Sequence, residues 1–261
     1  MKRTLIVANW KMHLNTQQAS LLVHRLSKTI PIHRDTEVVL APSMLSLQPL
    51  SLEIDRRQFR LAAQDAYPKD EGAFTGEVSF TMLHDLVHYV LVGHSERRIY
   101  FNENLEMVRD KVSAAIRNGI SPILCVGETK PERLAGETKR VIHDQLTSAL
   151  SNLTSQEIDR VVIAYEPVWA ISTFGGELAK PDDVAVILKL IRSVIHELYG
   201  QAVAEAVRVL YGGSVTQDLV RGYLSMPGCD GALVGGASLN YQQFSAIVAS
   251  AHSLRREHPE E

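Results

Sequence analysis

Four polar side chains stand where apolar runs of this sequence end, and together they could move a proton beside a carbonyl group. Glu166 closes VVIAYEP (161–167), His94 follows HYVLVG (88–93), and Asn9 and Lys11 lie at and just past the end of TLIVAN (4–9). Glu96 follows two residues after His94. A carboxylate can take a proton from the carbon next to a carbonyl, while an imidazole, an ammonium and an amide stabilise the enediolate oxygens that result. Two glycine pairs, in YGGSV (211–215) and LVGGASL (233–239), suit an anion anchor. Glycine lets a backbone approach closely, and N–H groups at a helix start bind phosphate. Ser214, Gly235 and Gly236 are therefore candidate phosphate contacts. No His, Cys, Asp or Glu grouping has metal-ligand spacing, so neither a metal nor a cofactor is expected.

Each of these residues also has a plain reading. Lys11 alone is an ordinary surface lysine whose stem lies on apolar neighbours. His94 alone is a hydrogen-bonded structural histidine, Glu166 a partner for some arginine, Cys125 a small core residue, and the glycine pairs tight turns. Their convergence on one end of one fold is what favours chemistry.

That convergence needs elements to produce it. Short apolar, β-branched-rich runs at 4–9, 37–42, 60–64, 88–93, 121–127, 161–167, 207–213 and 231–236 read as strands buried on both faces, as in a parallel sheet. Amphipathic segments at 16–29, 105–118, 132–150, 182–199 and 240–254 read as helices, and 65–87 reads as a long loop before a short helix near 79–86. Thr16, Pro131-Glu132 and Pro181-Asp182-Asp183 mark helix starts. Eight strands alternating with about as many helices over 261 residues predict an α/β fold, a single (β/α)8 barrel domain spanning 1–261. A doubly wound open sheet competes on pattern. It usually carries GxGxxG after its first strand, and ANWKMHLN contains no glycine. In a barrel the strand C-termini form one face, and every candidate above lies at such an end.

The charge balance, 27 Lys and Arg against 30 Asp and Glu, gives a net charge of −3 and no basic run, which argues against nucleic acid or an anionic membrane as partner. Cys125 and Cys229 are far apart with no CxxC, as expected in a reducing compartment. No stretch has the length of a membrane span, and the first apolar run is too short for a signal peptide, so a cytoplasmic location is expected. The tail from about residue 255, RREHPEE after Leu254, is expected to fray.

Seven motifs, ANWKM (8–12), GAFTGE (72–77), VGHSERR (92–98), CVGE (125–128), AYEPVWAI (164–171), YGGSV (211–215) and LVGGASL (233–239), resemble those of the triosephosphate isomerase family, in its order and across practically the whole chain. The resemblance implies interconversion of dihydroxyacetone phosphate and D-glyceraldehyde 3-phosphate, a step of glycolysis and gluconeogenesis. Glu166 would be the base, His94 a neutral electrophile, Lys11 a cation steadying the oxyanion, Asn9 an amide donor, and Glu96 the partner holding Lys11. Ser172, Ser214, Gly235 and Gly236 would meet the phosphate through backbone N–H groups. Thr75 would tip a loop reaching into a second subunit, which implies a homodimer.

The sequence also departs from the family's pattern. Asp65 stands where Asn is commoner, His13 where Asn is usual, and Asn102 where Gly is usual. The segment after Glu166 departs most, reading AISTFGGELA where AIGTGKTA or similar is usual, with Ser172 at a glycine position and about two extra residues. A barrel with an altered substrate, or one kept for binding without catalysis, is the alternative this lid raises.

Overall fold

The computed structural model describes residues 2–174 and 176–257. Eight parallel strands, β1 (Thr4–Asn9), β2 (Thr36–Ala41), β3 (Arg60–Ala63), β4 (Tyr89–Val92), β5 (Ser121–Val126), β6 (Val162–Tyr165), β7 (Arg208–Tyr211) and β8 (Gly231–Val234), close in sequence order into a barrel. β1 pairs with β2 from Thr4 against Thr36 to Asn9 against Ala41, and closes onto β8 from Leu5 against Gly231. This closed order excludes the open doubly wound sheet.

Strand alternation separates two apolar layers. Leu5, Val7, Val39, Leu91, Ile123, Ala164, Leu210 and Leu233 point inward and fill the barrel. Ile6, Ala8, Leu40, Val90, Leu124 and Ile163 point outward beneath the helices. Both faces are therefore dry, which is why the strands read as continuous apolar runs. Each such Leu, Ile or Val contributes about 1.5–3 kcal/mol when fully buried.

The helices are α1 (Thr16–Thr29), α2 (Met44–Glu53), α3 (Phe80–Leu83), α4 (Ser95–Tyr100), α5 (Leu105–Arg117), α6 (Lys130–Leu134), α7 (Thr138–Leu150), α8 (Pro181–Tyr199), α9 (Gln201–Ala206), α10 (Val220–Leu224) and α11 (Tyr241–Glu257). α1 starts one residue after Asn15, whose side chain accepts from Gln18 N–H in a reciprocal capping box. The single helix expected over 132–150 is two: Gly136 adopts φ 71° and breaks it into α6 and α7. α2 escaped the sequence pattern because MLSLQPLSLE spreads leucine around the helix and carries Pro49 inside it. α11 continues to Glu257, past the expected fraying point, and Arg255 donates to the Lys2 carbonyl at 2.7 Å. The end of the expected tail, 258–261, lies outside the described residues. No helix among the described residues is long and apolar enough to cross a membrane.

Candidate active site

β6 delivers Glu166 to the mouth of the barrel. Glu166 N–H donates to the Val126 carbonyl at 2.8 Å, and Gly212 N–H donates to the Tyr165 carbonyl at 2.8 Å, so the end of β6 is gripped from both sides. Two glycines make the close approach possible. A Cβ on Gly127 would fall 1.7 Å from the Glu166 carbonyl oxygen, and one on Gly212 would fall 2.9 Å from Glu166 Cγ. The Glu166 side chain is only 3 % exposed.

His94 caps α4. Its Nδ1 accepts the Glu96 backbone N–H at 3.2 Å, while Nε2 lies 3.1 Å from Glu166 Oε1. Ser95 N–H donates to Glu166 Oε2 at 3.1 Å. Burial by itself would favour the neutral acid of Glu166. The His94 ring, the Ser95 N–H and the Lys11 ammonium outweigh it and hold the carboxyl below the ordinary glutamate range. Burial likewise disfavours a charged His94, yet the Glu166 carboxylate, with help from Glu96, lifts the ring above its ordinary value. The hydrogen bond onto Nδ1 cuts the other way. A backbone N–H donates only to a bare lone pair, so this contact favours a neutral imidazole with its hydrogen on Nε2.

Lys11 reaches the same space from β1. Its backbone is held at φ 52°, a conformation costing about 1–3 kcal/mol for a residue with a side chain. Two amides offset that strain: Asn9 Oδ1 accepts the Lys11 N–H at 3.0 Å, and Gln64 Nε2 donates to the Lys11 carbonyl at 2.7 Å. The ammonium lies 2.5 Å from Glu96 Oε1. Asn9, Lys11, His94 and Glu166 share one cavity of about 270 Å³ with Ser214, Gly235 and Gly236. Ile171 lines it too, and Ser172 begins the turn that follows. A larger hollow, about 490 Å³, opens elsewhere beside Lys2, Arg192 and Asp230, away from all of these groups.

Four sets of contacts at the site had no trace in the sequence pattern. Thr173, on the lid, accepts from Lys11 Nζ and donates to Glu96 Oε1, both at 3.2 Å. The lid residue Phe174 packs against Tyr100 of α4 with ring centroids 5.8 Å apart. The fully buried Glu128 accepts from Trp169 Nε1 at 2.8 Å and from the Tyr165 hydroxyl at 3.2 Å, which ties the start of the lid to the end of β5. The Ser214 hydroxyl donates to the Ala170 carbonyl at 2.7 Å and fastens the same part of the lid to β7's exit.

The sequence model of a family described as triosephosphate isomerase matches residues 4–251. The chain belongs to the triosephosphate isomerase family. Among curated relatives, the triosephosphate isomerase of Caldanaerobacter subterraneus subsp. tengcongensis is 45% identical over 251 residues, covering 95% of this chain and 99% of the relative. That of Roseiflexus sp. strain RS-1 is 44% identical over 249 residues, covering 95% and 97%. That of Dictyoglomus turgidum is 41% identical over 251 residues, covering 96% and 100%.

Two departures from the usual triosephosphate isomerase pattern have local explanations. Asn102 takes φ 54°, a left-handed conformation that Asn tolerates better than most residues. Asp65 adds a carboxylate, and Lys111 Nζ meets its two oxygens at 2.7 and 2.9 Å while Arg97 meets it at 2.9 Å. Both cations also pair with buried Glu103, so two carboxylates balance two cations.

Proposed function

We propose that the chain interconverts dihydroxyacetone phosphate and D-glyceraldehyde 3-phosphate at this cavity, with Glu166 as the base. Glu166 removes a proton from one of the two carbons flanking the reacting bond and returns it to the other. His94 donates from Nε2 to the substrate oxygens, and Lys11 and Asn9 stabilise the enediolate charge as it develops. Glu96 holds the Lys11 ammonium in place. Backbone N–H groups of Ser172, Ser214, Gly235 and Gly236 anchor the phosphate, and the lid over the site keeps water from the enediolate. The step belongs to glycolysis and gluconeogenesis, in the cytoplasm.

The observation that carries this reading is the sharing of one cavity by carboxylate, imidazole, ammonium and glycine pair. Its volume falls below the roughly 300–1,000 Å³ of pockets for drug-sized ligands, as suits a three-carbon phosphate. Although the lid departs from the family, it leaves these groups together and adds a contact of its own through Thr173. A homodimer through the loop around Thr75 is supported by the exposure of Met12, Phe74, Met82 and Phe101. The chain would act as a single domain over 1–261.

Purified protein supplied with glyceraldehyde 3-phosphate, with dihydroxyacetone phosphate removed by a coupling enzyme, tests the reading. Turnover should fall by about 10²–10⁴-fold in Glu166→Gln, the usual share of a general base. Undiminished turnover in a folded Glu166→Gln protein would remove Glu166 from the mechanism.

A further inference from the structure

At the opposite end of the barrel from the active site, three metal-binding side chains meet from distant parts of the chain. His33 and Asp35 lie on the segment that enters β2, and His252 lies on α11. His252 Nδ1 is 2.8 Å from Asp35 Oδ1, across 217 residues of sequence. The His33 and His252 rings face each other with centroids 4.0 Å apart and planes tilted by 33°. One donor atom from each of the three residues lies within 4.8 Å of the other two. We propose that His33, Asp35 and His252 form a binding site for a divalent metal ion of the zinc, cobalt and nickel class, which clips α11 to the entry of β2.

The donor set decides the class of metal. Two imidazoles and one carboxylate suit zinc and its borderline neighbours, whereas magnesium and calcium take oxygen ligands. Tetrahedral bonds of 2.0–2.1 Å place ligand atoms about 3.3 Å apart, so the His252–Asp35 pair at 2.8 Å opens slightly and the wider spacings, all within 4.8 Å, close onto an ion. The side chains of His252 and Asp35 are 28% and 31% exposed, which leaves an entry path and room for a water as fourth ligand. For His252 to bind through Nδ1, a proton on that nitrogen shifts to Nε2, and the metal takes its place beside Asp35.

The surroundings hold the ligands in position. Thr36 Oγ1 donates to Asp35 Oδ1 at 3.2 Å, orienting the carboxylate as an outer hydrogen bond does in metal sites. The Asp35 carbonyl accepts Thr4 N–H at 2.9 Å, so its backbone is fixed to the start of β1. Thr29 Oγ1 and Ser245 Oγ, 2.7 Å apart, join α1 to α11 one step along the same seam. The metal would therefore join the first and last parts of the fold, with effects on stability and none on the chemistry at the barrel mouth.

The test uses the full chain, freed of metal by a chelator and titrated with zinc chloride by calorimetry. One equivalent per chain should bind, and at a hundred times Kd the melting temperature should rise by about 5–10 °C. Cobalt(II) should give the strong visible absorption of a low-coordinate site, and magnesium should give neither effect. His33→Ala and His252→Ala should each weaken zinc binding by more than tenfold, roughly the least lost when an outer partner alone is removed. Asp35→Asn, which keeps the side-chain shape, serves should either alanine variant fold poorly, and should weaken binding likewise. Zinc binding that is absent, or unchanged in all three variants because other histidines hold the ion, would overturn the proposal.

Discussion

Replacing Gly127 by alanine tests whether the position of Glu166 depends on the close approach of β5 to β6. Gly127 does not need a left-handed backbone, so alanine meets no conformational objection, and space alone is at issue. Its Cβ would lie 1.7 Å from the Glu166 carbonyl oxygen, where real contacts do not fall below 3.0 Å. The strand ends must then part by roughly 1.3 Å, and a misplacement of about 1 Å at a reacting group costs about a hundredfold. Gln145 grips Gly127 from the other side, donating to its carbonyl and accepting its N–H, so the shift cannot be taken up there without loss. Overpacking of this kind should also cost about 1–3 kcal/mol of stability. In the coupled isomerase assay kcat should fall by about a hundredfold, with KM changing less because three of the four proposed phosphate contacts, Ser214, Gly235 and Gly236, lie on the exits of β7 and β8. Gly222→Ala is the control: a Cβ there meets nothing within 4 Å, within α10. It should keep full activity and gain about 0.4–1 kcal/mol. A folded Gly127→Ala protein with kcat within a few-fold of the parent would show that Glu166 is not positioned by this contact.

Two further outcomes follow from the same structure. Thr75→Arg places a charge at the tip of the loop assigned to the subunit interface. Burying it unpaired costs about 3–5 kcal/mol, so sedimentation should show dimerisation weakened at least about a hundredfold; an unchanged dimer would move the interface elsewhere. Desolvation pushes the thiol of half-buried Cys229 up to about 12, which leaves little of it as thiolate at pH 7. Alkylation in the native protein, followed by mass spectrometry, should be about 10³-fold slower than for a free cysteine. Labelling at the free rate would contradict that upward shift.

The barrel was legible because strands dry on both faces leave long apolar runs, and every strand lies within a residue or two of its expected bounds. What was lost lacked periodicity. α2 has leucines on all sides, and the break at Gly136 is one positive φ within an otherwise helical pattern. At the site, Asn9, Lys11, His94 and Glu166 could be collected from strand ends alone, since a barrel aims all of them at one face. The pairing of Glu96 with Lys11 came only through resemblance, because nothing in local spacing joins residues 85 apart. Thr173 was hidden for a different reason. Its contacts depend on the course of the lid, where Ser172–Phe174 coil into a 3₁₀ turn and Gly176 N–H returns to the Ile171 carbonyl at 3.1 Å. The His33, Asp35 and His252 cluster shares that limit, since tertiary packing alone creates it.

Isomerisation run in D₂O probes the role of Glu166 most directly. A proton carried on a carboxylate exchanges with solvent before it is returned, whereas a hydride passed straight between carbons does not. Mass spectrometry of trapped product should find deuterium on the carbon next to the carbonyl, and Glu166→Gln should lose incorporation and turnover together. Turnover without deuterium, or incorporation that survives in Glu166→Gln, would contradict proton transfer by this carboxylate.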